Sequence, residues 1–138
     1  MKTNFNWNML VGFNKAEESR FQRTWMRSGL RIPARFVTDQ QEAIACLRGA
    51  LVCEGLIPGV VFIKWNDAQG LELLRWIRQQ SGYRDLVVVM CADDWQPEEI
   101  KRADAAGADT CLTLSNDVTE MMRLLRRLEH HWFSAKVA

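Results

Sequence analysis

The chain has 138 residues, 18 of them basic and 17 acidic, and a hydrophobic fraction of 48%. This length is enough to bury the core of one domain, which we expect to span residues 1–138, and the near-neutral charge argues against a nucleic-acid partner. No apolar run approaches the roughly 18 residues of a membrane span, and the N-terminus lacks the apolar segment of a secretory signal. The four cysteines form no C-x-x-C pair, so we expect reduced thiols in a cytoplasmic protein.

Short apolar segments alternate with helical patterns in the first part of the chain. Met9–Val11 is a predicted strand, and apolar residues at helical spacing predict a helix over Glu17–Ser28. Ala34–Val37 is a second predicted strand. Asp39 and Glu42 have the spacing of a capping box and predict the start of the next helix.

The second part of the chain continues the same alternation. Predicted strands lie at Val60–Lys64, Leu86–Cys91 and Thr110–Leu114, with helical patterns between them and a last helix from about Val118 to Phe133. The run LVVVMC at Leu86–Cys91 has no polar residue, which is typical of a central parallel strand covered on both faces. Five βα units predict an α/β fold with a five-stranded, doubly wound parallel sheet. In such a sheet, ligands bind at the carboxyl ends of the strands.

Two segments of the chain resemble the receiver domains of bacterial response regulators. KWNDAQGLELLRWIRQ, at Lys64–Gln79, is similar to the receiver segment that normally begins with the phosphoacceptor Asp and continues into G-L-E-L-L. DLVVVMCADDWQPEEIKRADAAGAD, at Asp85–Asp109, is similar to the receiver's fourth strand, the helix after it and its A-G-A-D motif. The long second helix region and the ending HHWF are similar to the stand-alone receivers that partner bacterial phytochromes. The resemblance implies a flavodoxin-like (βα)5 fold with strand order 2-1-3-4-5 and a role in two-component or phosphorelay signalling.

The chain departs from the receiver pattern at the positions that carry chemistry. Receivers have an acceptor Asp after the third strand, an acidic pair for Mg²⁺ after the first, Thr or Ser after the fourth and Lys after the fifth. In this chain, Lys64 occupies the acceptor position, and Gly12, Phe13 and Asn14 occupy the region of the acidic pair. Cys91 occupies the Thr or Ser position, and Leu114 occupies the Lys position. A protonated amine is not a nucleophile, and Mg²⁺ prefers carboxylate oxygens. We therefore expect a pseudo-receiver that is not an enzyme and has no cofactor and no metal.

Two interpretations of Lys64 remain open. Its ammonium either pairs with a nearby carboxylate, Asp67 or Asp93, and holds one conformation, or extends from the strand end into solvent. Asp67 is also the only position for a displaced phosphoacceptor, although a turn role in the Asn-Asp loop is the favoured explanation of this residue. Asp93 and Asp94 precede a helix and fit a capping role.

The expected function is phosphorylation-independent protein–protein interaction, with a histidine kinase or another signalling protein as the partner. No DNA-binding domain follows in this sequence, so we expect output through a protein partner or through self-association. In receivers, the interaction face combines the fourth helix, the fifth strand and the fifth helix. The corresponding positions here are Glu98, Lys101, Arg102, Thr113, Arg123 and Arg127. A small flavin or nucleotide carrier on the same topology is the alternative, but no Gly-rich phosphate loop supports it.

Aromatic residues near the chain end and in the loops suggest contact surfaces. The last predicted helix has more apolar residues than one side of a sheet requires, and it ends in Trp132 and Phe133. Surplus apolar surface of this kind predicts a homodimer through that helix. Trp65 and Trp95 lie in loops at strand ends, where they either form part of a partner surface or pack locally.

Overall fold

The computed structural model describes residues 7–28, 34–52, 58–65 and 67–114, together with the single helical positions 123, 126 and 127. The strands are β1 (Asn8–Val11), β2 (Ala34–Val37), β3 (Val60–Lys64), β4 (Val87–Ala92) and β5 (Thr110–Thr113). The helices within these ranges are α1 (Lys15–Ser28), α2 (Gln40–Val52), α3 (Asp67–Gln79) and α4 (Pro97–Ala106), with a short 3-10 turn at Ser81–Tyr83. None of the described helices is long and apolar enough to cross a membrane.

The five strands form one parallel sheet with the order β2-β1-β3-β4-β5. Val11 is in register with Ile63, and Lys64 with Cys91. The predicted fold class and strand order are therefore confirmed. Because all strands run in the same direction, their carboxyl ends meet at one edge, and the switch point of the topology lies there between β1 and β3.

Alternation along the strands divides the buried side chains between two cores. Met9 and Val11 of β1 pack toward the side covered by α2 and α3, whereas Leu10 between them belongs to the other core. That second core contains Phe21 and Trp25 from α1, both of which make ring contacts with Phe62 of β3. β3 and β4 contribute to both cores, which explains their unbroken apolar sequences.

One predicted helix start and one predicted capping role were wrong. α1 begins at Lys15 rather than Glu17, since Asn14 caps it. α4 begins at Pro97 as predicted, but Gln96 is its N-cap, so Asp93 and Asp94 do not have the capping role assigned to them. The backbone N–H of Gln96 donates to Glu99 Oε1 at 2.9 Å. Most of the last predicted helix, including Trp132 and Phe133, lies outside the described residues.

The amino end of the sheet is organised by the guanidinium of Arg78 in α3. Arg78 donates hydrogen bonds to the carbonyl oxygens of Leu86 at 2.7 Å, Gly107 at 2.9 Å and Tyr83 at 3.3 Å. Its Nη2 also lies 2.8 Å from Asp109 Oδ2, and the same carboxylate oxygen accepts the backbone N–H of Val88 at 2.8 Å. This network, hereafter the Arg78 network, joins α3, the start of β4 and the α4–β5 connection.

Gly107 ends α4 in a conformation that favours glycine. Its φ is 107°, and a Cβ at this position would lie 2.9 Å from Cγ of Arg78. The N–H of Ala108 donates to the carbonyl of Ala103, which satisfies one of the last carbonyls of the helix. The A-G-A-D motif of the resemblance thus terminates α4 and positions Asp109 for the Arg78 network.

Candidate functional site

The carboxyl edge of the sheet brings together most of the positions singled out in the sequence. Lys64 ends β3 directly beside Cys91 of β4. Gly12 follows β1, and a Cβ at Gly12 would lie 3.7 Å from Cβ of Lys64. Leu114 follows β5, where its N–H donates to the carbonyl of Ala92 at 2.8 Å. The tertiary structure therefore assembles these residues around Lys64.

A carboxylate that was not among the predicted site residues, Glu17, also lies in this site. Glu17 is the third residue of α1 and forms a capping box with Asn14. The N–H of Glu17 donates to Asn14 Oδ1 at 2.8 Å, and the N–H of Asn14 donates to Glu17 Oε1 at 2.9 Å. These bonds hold Glu17 in place with its residue only 6% exposed.

The ammonium of Lys64 is ion-paired in this structure. It contacts Glu17 Oε2, the carboxylate oxygen that is not used in the capping box. It also lies 3.9 Å from Asp93 Oδ2. The Lys64 and Glu17 side chains are 19% and 8% exposed, whereas Asp93 is 70% exposed. Glu17 is therefore the main partner and Asp93 a peripheral one; the side chain of Asp67 lies outside the described residues.

The remaining positions of the site present apolar or inert groups. Phe13 is 6% exposed and meets Phe21 edge-to-face, with 5.1 Å between ring centroids. Leu114 is 6% exposed in the same core. Cys91 is fully buried, and burial raises the pKa of its thiol, so it is held in the unreactive protonated form. None of these side chains offers a charge or an oxygen to a phosphoryl group.

The residues present do not fit the Mg²⁺ ion that the receiver resemblance implies. Mg²⁺ requires oxygen ligands, usually including carboxylates. Gly12 and Phe13 provide no side-chain oxygen, and the Glu17 carboxylate already accepts a backbone N–H and binds the Lys64 ammonium. The described residues also contain no group of three or more His, Cys, Asp or Glu side chains arranged to hold a metal.

A cleft opens beside Lys64 on the α2 side of the sheet. Its lining residues come from β1, the start of α2, β3 and α3, and they are Val11, Gly12, Thr38, Asp39, Gln40, Ile63, Lys64, Gly70 and Leu73. Gly70 lets α3 approach the sheet, because a Cβ there would lie 3.2 Å from the Lys64 carbonyl oxygen. No Gly-rich loop surrounds the cleft, so its lining does not favour the flavin or nucleotide alternative.

The six described positions of the predicted interaction face are all exposed. Glu98, Lys101 and Arg102 lie on α4, Thr113 ends β5, and the helical positions Arg123 and Arg127 are also exposed. Beside them, the rings of Trp65 and Trp95 pack against each other with 5.1 Å between centroids. The two loop tryptophans therefore pack locally, as one of their two interpretations predicts.

Among the described residues of the site, sequence analysis did not assign Glu17, although the sequence contains a recognisable signal for its position. Asn14 and Glu17 have the N-x-x-E spacing of a capping box immediately after the first predicted strand. Placing the helix start at Asn14 would have brought Glu17 to the carboxyl edge of the sheet.

No protein-family model matches the sequence, and no curated protein sequence matches it. The structure is similar to the response regulator RPA3017 in red light signaling of R. palustris, with a TM-score of 0.81, 21% identity and coverage of 91% of this chain and 93% of that chain. It is also similar to the phosphorylated cyanobacterial phytochrome response regulator RcpA, with a TM-score of 0.78, 22% identity and coverage of 94% and 95%.

The chemotaxis protein CheY4 of Vibrio cholerae is similar as well, with a TM-score of 0.71, 19% identity and coverage of 89% of this chain and 98% of that chain. All three comparisons extend over nearly the full length of both proteins. The chain therefore has the fold of response-regulator receiver domains, and the resemblance seen in its sequence is confirmed at the level of the fold.

Proposed function

We propose that this protein is a bacterial, cytoplasmic pseudo-receiver of two-component signalling that acts by binding a protein partner without being phosphorylated. The observation that carries the proposal is the partly buried ion pair between Lys64 and Glu17. It places an amine where receivers have their acceptor carboxylate, and it engages the carboxylate nearest to that position. Phosphoryl transfer needs both a nucleophile and a cation that is free to offset developing charge.

The partner we propose is a histidine kinase or another signalling protein. Two of the similar structures are described as response regulators, one in red light signaling and one of a cyanobacterial phytochrome, which supports a signalling partner. The exposed charged positions on α4, namely Glu98, Lys101 and Arg102, supply a polar surface for this contact. The proposal assigns no enzymatic activity and no cofactor to this chain.

Treatment with a small phosphodonor tests the central claim. We expect acetyl phosphate with Mg²⁺, or beryllofluoride with Mg²⁺, to leave the intact mass and the tryptophan emission unchanged. Trp65 is adjacent to Lys64 and is a built-in reporter of events at this site. A Mg²⁺-dependent change in mass that disappears in Asp67→Asn would overturn the proposal in favour of a displaced phosphoacceptor. A chromophore absorbing in the visible range in the purified protein would favour the flavin carrier instead.

Lys64→Asp provides the matched test of the site itself. It restores a carboxylate at the end of β3, yet Cys91 and Leu114 still provide no group for phosphoryl oxygens. We expect this variant to remain unmodified by acetyl phosphate. Rapid modification of Lys64→Asp at residue 64 would show that the rest of the site is competent and that the lysine alone blocks it.

Self-association through the last helix is the second part of the proposal. The surplus apolar residues of the sequence near Trp132 and Phe133 support a homodimer. Light scattering over a dilution series is expected to show a dimer that weakens in the Trp132→Ala/Phe133→Ala double variant. A monomer at every concentration, or a dimer unaffected by both substitutions, would contradict this assignment.

A further inference from the structure

Two tryptophans connect the loops at the carboxyl edge of the sheet. Trp65 is the residue after β3, and Trp95 lies in the connection between β4 and α4. Their rings meet at an interplanar angle of 61°, with centroids 5.1 Å apart. Edge-to-face pairs of this kind contribute beyond the area that they bury. The two loops are therefore in contact through aromatic side chains.

Trp95 extends this connection to the fifth strand. Its indole N–H donates a hydrogen bond to the carbonyl oxygen of Leu112 in β5 at 3.1 Å. The loop before α4 is thereby joined to β5 on one side and to Trp65 on the other. The peripheral contact between Asp93 and the Lys64 ammonium, at 3.9 Å, lies at the start of the same loop.

Trp65 in turn contacts helix α4. The guanidinium of Arg102 lies over the Trp65 ring, 5.7 Å from its centroid, at a distance typical of a cation–π interaction. The N–H of Trp65 also donates to the carbonyl of Cys91, which fixes the residue against β4. Trp65 thus links the end of β3 to the side of α4, and Trp95 links the start of α4 to β5.

We propose that Trp65, Trp95 and Arg102 form a latch that holds α4 and the preceding loop in one arrangement without any phosphoryl group. Displacing α4 would require loss of the ring contact, the Arg102 contact and the Trp95 hydrogen bond together. The latch deepens the proposed function, because it would keep the exposed α4 positions in a constant geometry. Its existence rests only on the contacts among these three side chains and Leu112.

Two substitutions of tryptophan by phenylalanine form a matched pair. The Trp95 N–H has an acceptor, whereas the Trp65 Nε1 is buried without a hydrogen-bond partner among the described residues. Trp95→Phe therefore removes an existing hydrogen bond to Leu112, whereas Trp65→Phe removes an N–H donor without a partner among the described residues. Both variants keep an aromatic ring, so both are expected to fold. Trp65→Leu removes the ring contact and the cation–π contact instead.

Hydrogen–deuterium exchange of the full chain measures how firmly the latch holds α4 and the loop before it. In Trp95→Phe we expect exchange in peptides covering residues 93–106 to rise about three- to tenfold, the range that corresponds to one neutral hydrogen bond. Trp65→Phe is expected to stay within about twofold, and Trp65→Leu to resemble Trp95→Phe. Peptides from α2 (Gln40–Val52) are the internal reference and are expected to be unchanged.

Three results would overturn the latch. They are unchanged exchange at residues 93–106 in both Trp95→Phe and Trp65→Leu, equal effects of the two phenylalanine variants, and an increase spread evenly over α2 and α4. The last result would show a general loss of stability. The exchange result can be distinguished from a failure of the proposed function. Phosphorylation of the chain would contradict the proposed function but would leave the exchange pattern unchanged.

Discussion

The two ends of the sheet each contain a cation that joins separate elements, but they use it differently. At the amino end, Arg78 binds backbone carbonyls of Leu86 and Gly107 as well as the Asp109 carboxylate. At the carboxyl end, Lys64 binds two side-chain carboxylates, Glu17 and Asp93. The amino end contains the receiver-like A-G-A-D motif, whereas the carboxyl end contains the positions at which the sequence departs from the receiver pattern.

The difference shows that the residues needed for the fold and those needed for chemistry are separable in this architecture. Arg78 donates to backbone carbonyls, which are present whatever the side chains are. A buried carbonyl without a hydrogen-bond donor lowers the stability of the fold. No backbone group depends on an acidic side chain at position 64, so a lysine is tolerated there once Glu17 neutralises it. The receiver fold therefore does not require an acidic side chain at the end of β3.

The largest expected effect is on the amino end. Arg78→Met would leave several carbonyls and the Asp109 carboxylate without their donor, and we expect it to lower the free energy of unfolding by about 3–5 kcal/mol. Urea denaturation measures the change. Arg75→Met, an exposed position on the same helix, is the control and is expected to stay within about 0.5 kcal/mol. If the two substitutions lowered the free energy of unfolding equally, the Arg78 network would not stabilise the fold, and the contrast between the two ends of the sheet would be wrong.

Alkaline pH should also weaken the amino end. Tyr83, the only tyrosine of the chain, is 1% exposed, donates its hydroxyl to the carbonyl of Leu47, and has its pKa raised by burial from 10.0 to about 12. The unfolded chain loses the phenolic proton first, so this contribution is complete below pH 10 and declines as pH rises toward 12. We expect a loss of about 2–3 kcal/mol over that window.

The titration can be followed without interference from other tyrosines. Ultraviolet absorbance of the phenolate is expected to report ionisation of Tyr83 well above pH 10 in the folded protein and near pH 10 in urea. Tyr83→Phe, although less stable at neutral pH because the bond to Leu47 is lost, is expected to lack this part of the alkaline decline. A folded-state midpoint at pH 10 would contradict the buried environment assigned to Tyr83.

The smallest expected effect is at the carboxyl end. Lys64→Asp places like charges beside Glu17 and Asp93, and Lys64→Met leaves the Glu17 carboxylate without its counter-charge; we expect each to destabilise by about 1–3 kcal/mol. Glu17→Gln retains an acceptor for the Asn14 N–H. The Lys64→Met/Glu17→Gln double variant should therefore recover at least half of the loss caused by Lys64→Met, as thermal and urea unfolding would show.

Lys101→Met, at an exposed position of α4, is the control for removal of a lysine and is expected to change stability by less than about 0.5 kcal/mol. If Lys64→Met behaved like this control, the ion pair with Glu17 would contribute nothing to the folded state. The carboxyl end would then differ from the amino end in energy as well as in chemistry.

Local patterns in the sequence determined most of the architecture. Unbroken apolar runs such as Leu86–Cys91 predicted strands covered on both faces, and Gly107 marked the end of α4, because strand burial and helix termination depend on a few neighbouring residues. Receiver-like segments then predicted the strand order that the sheet has. The absence of acidic residues at Gly12, Phe13 and Lys64 was likewise visible in the sequence.

Only the tertiary structure decided which charges meet. Glu17 and Lys64 are 47 positions apart, and Arg78 and Asp109 are 31 apart, so neither pairing follows from local spacing. The Trp65–Trp95 contact and the Trp95 bond to Leu112 likewise require the sheet to bring β3, β4 and β5 side by side. Side-chain partners across a parallel sheet depend on register and on helix starts. Because α1 begins at Lys15 and not at Glu17, its first turn places Glu17 beside Lys64, which the predicted start did not indicate.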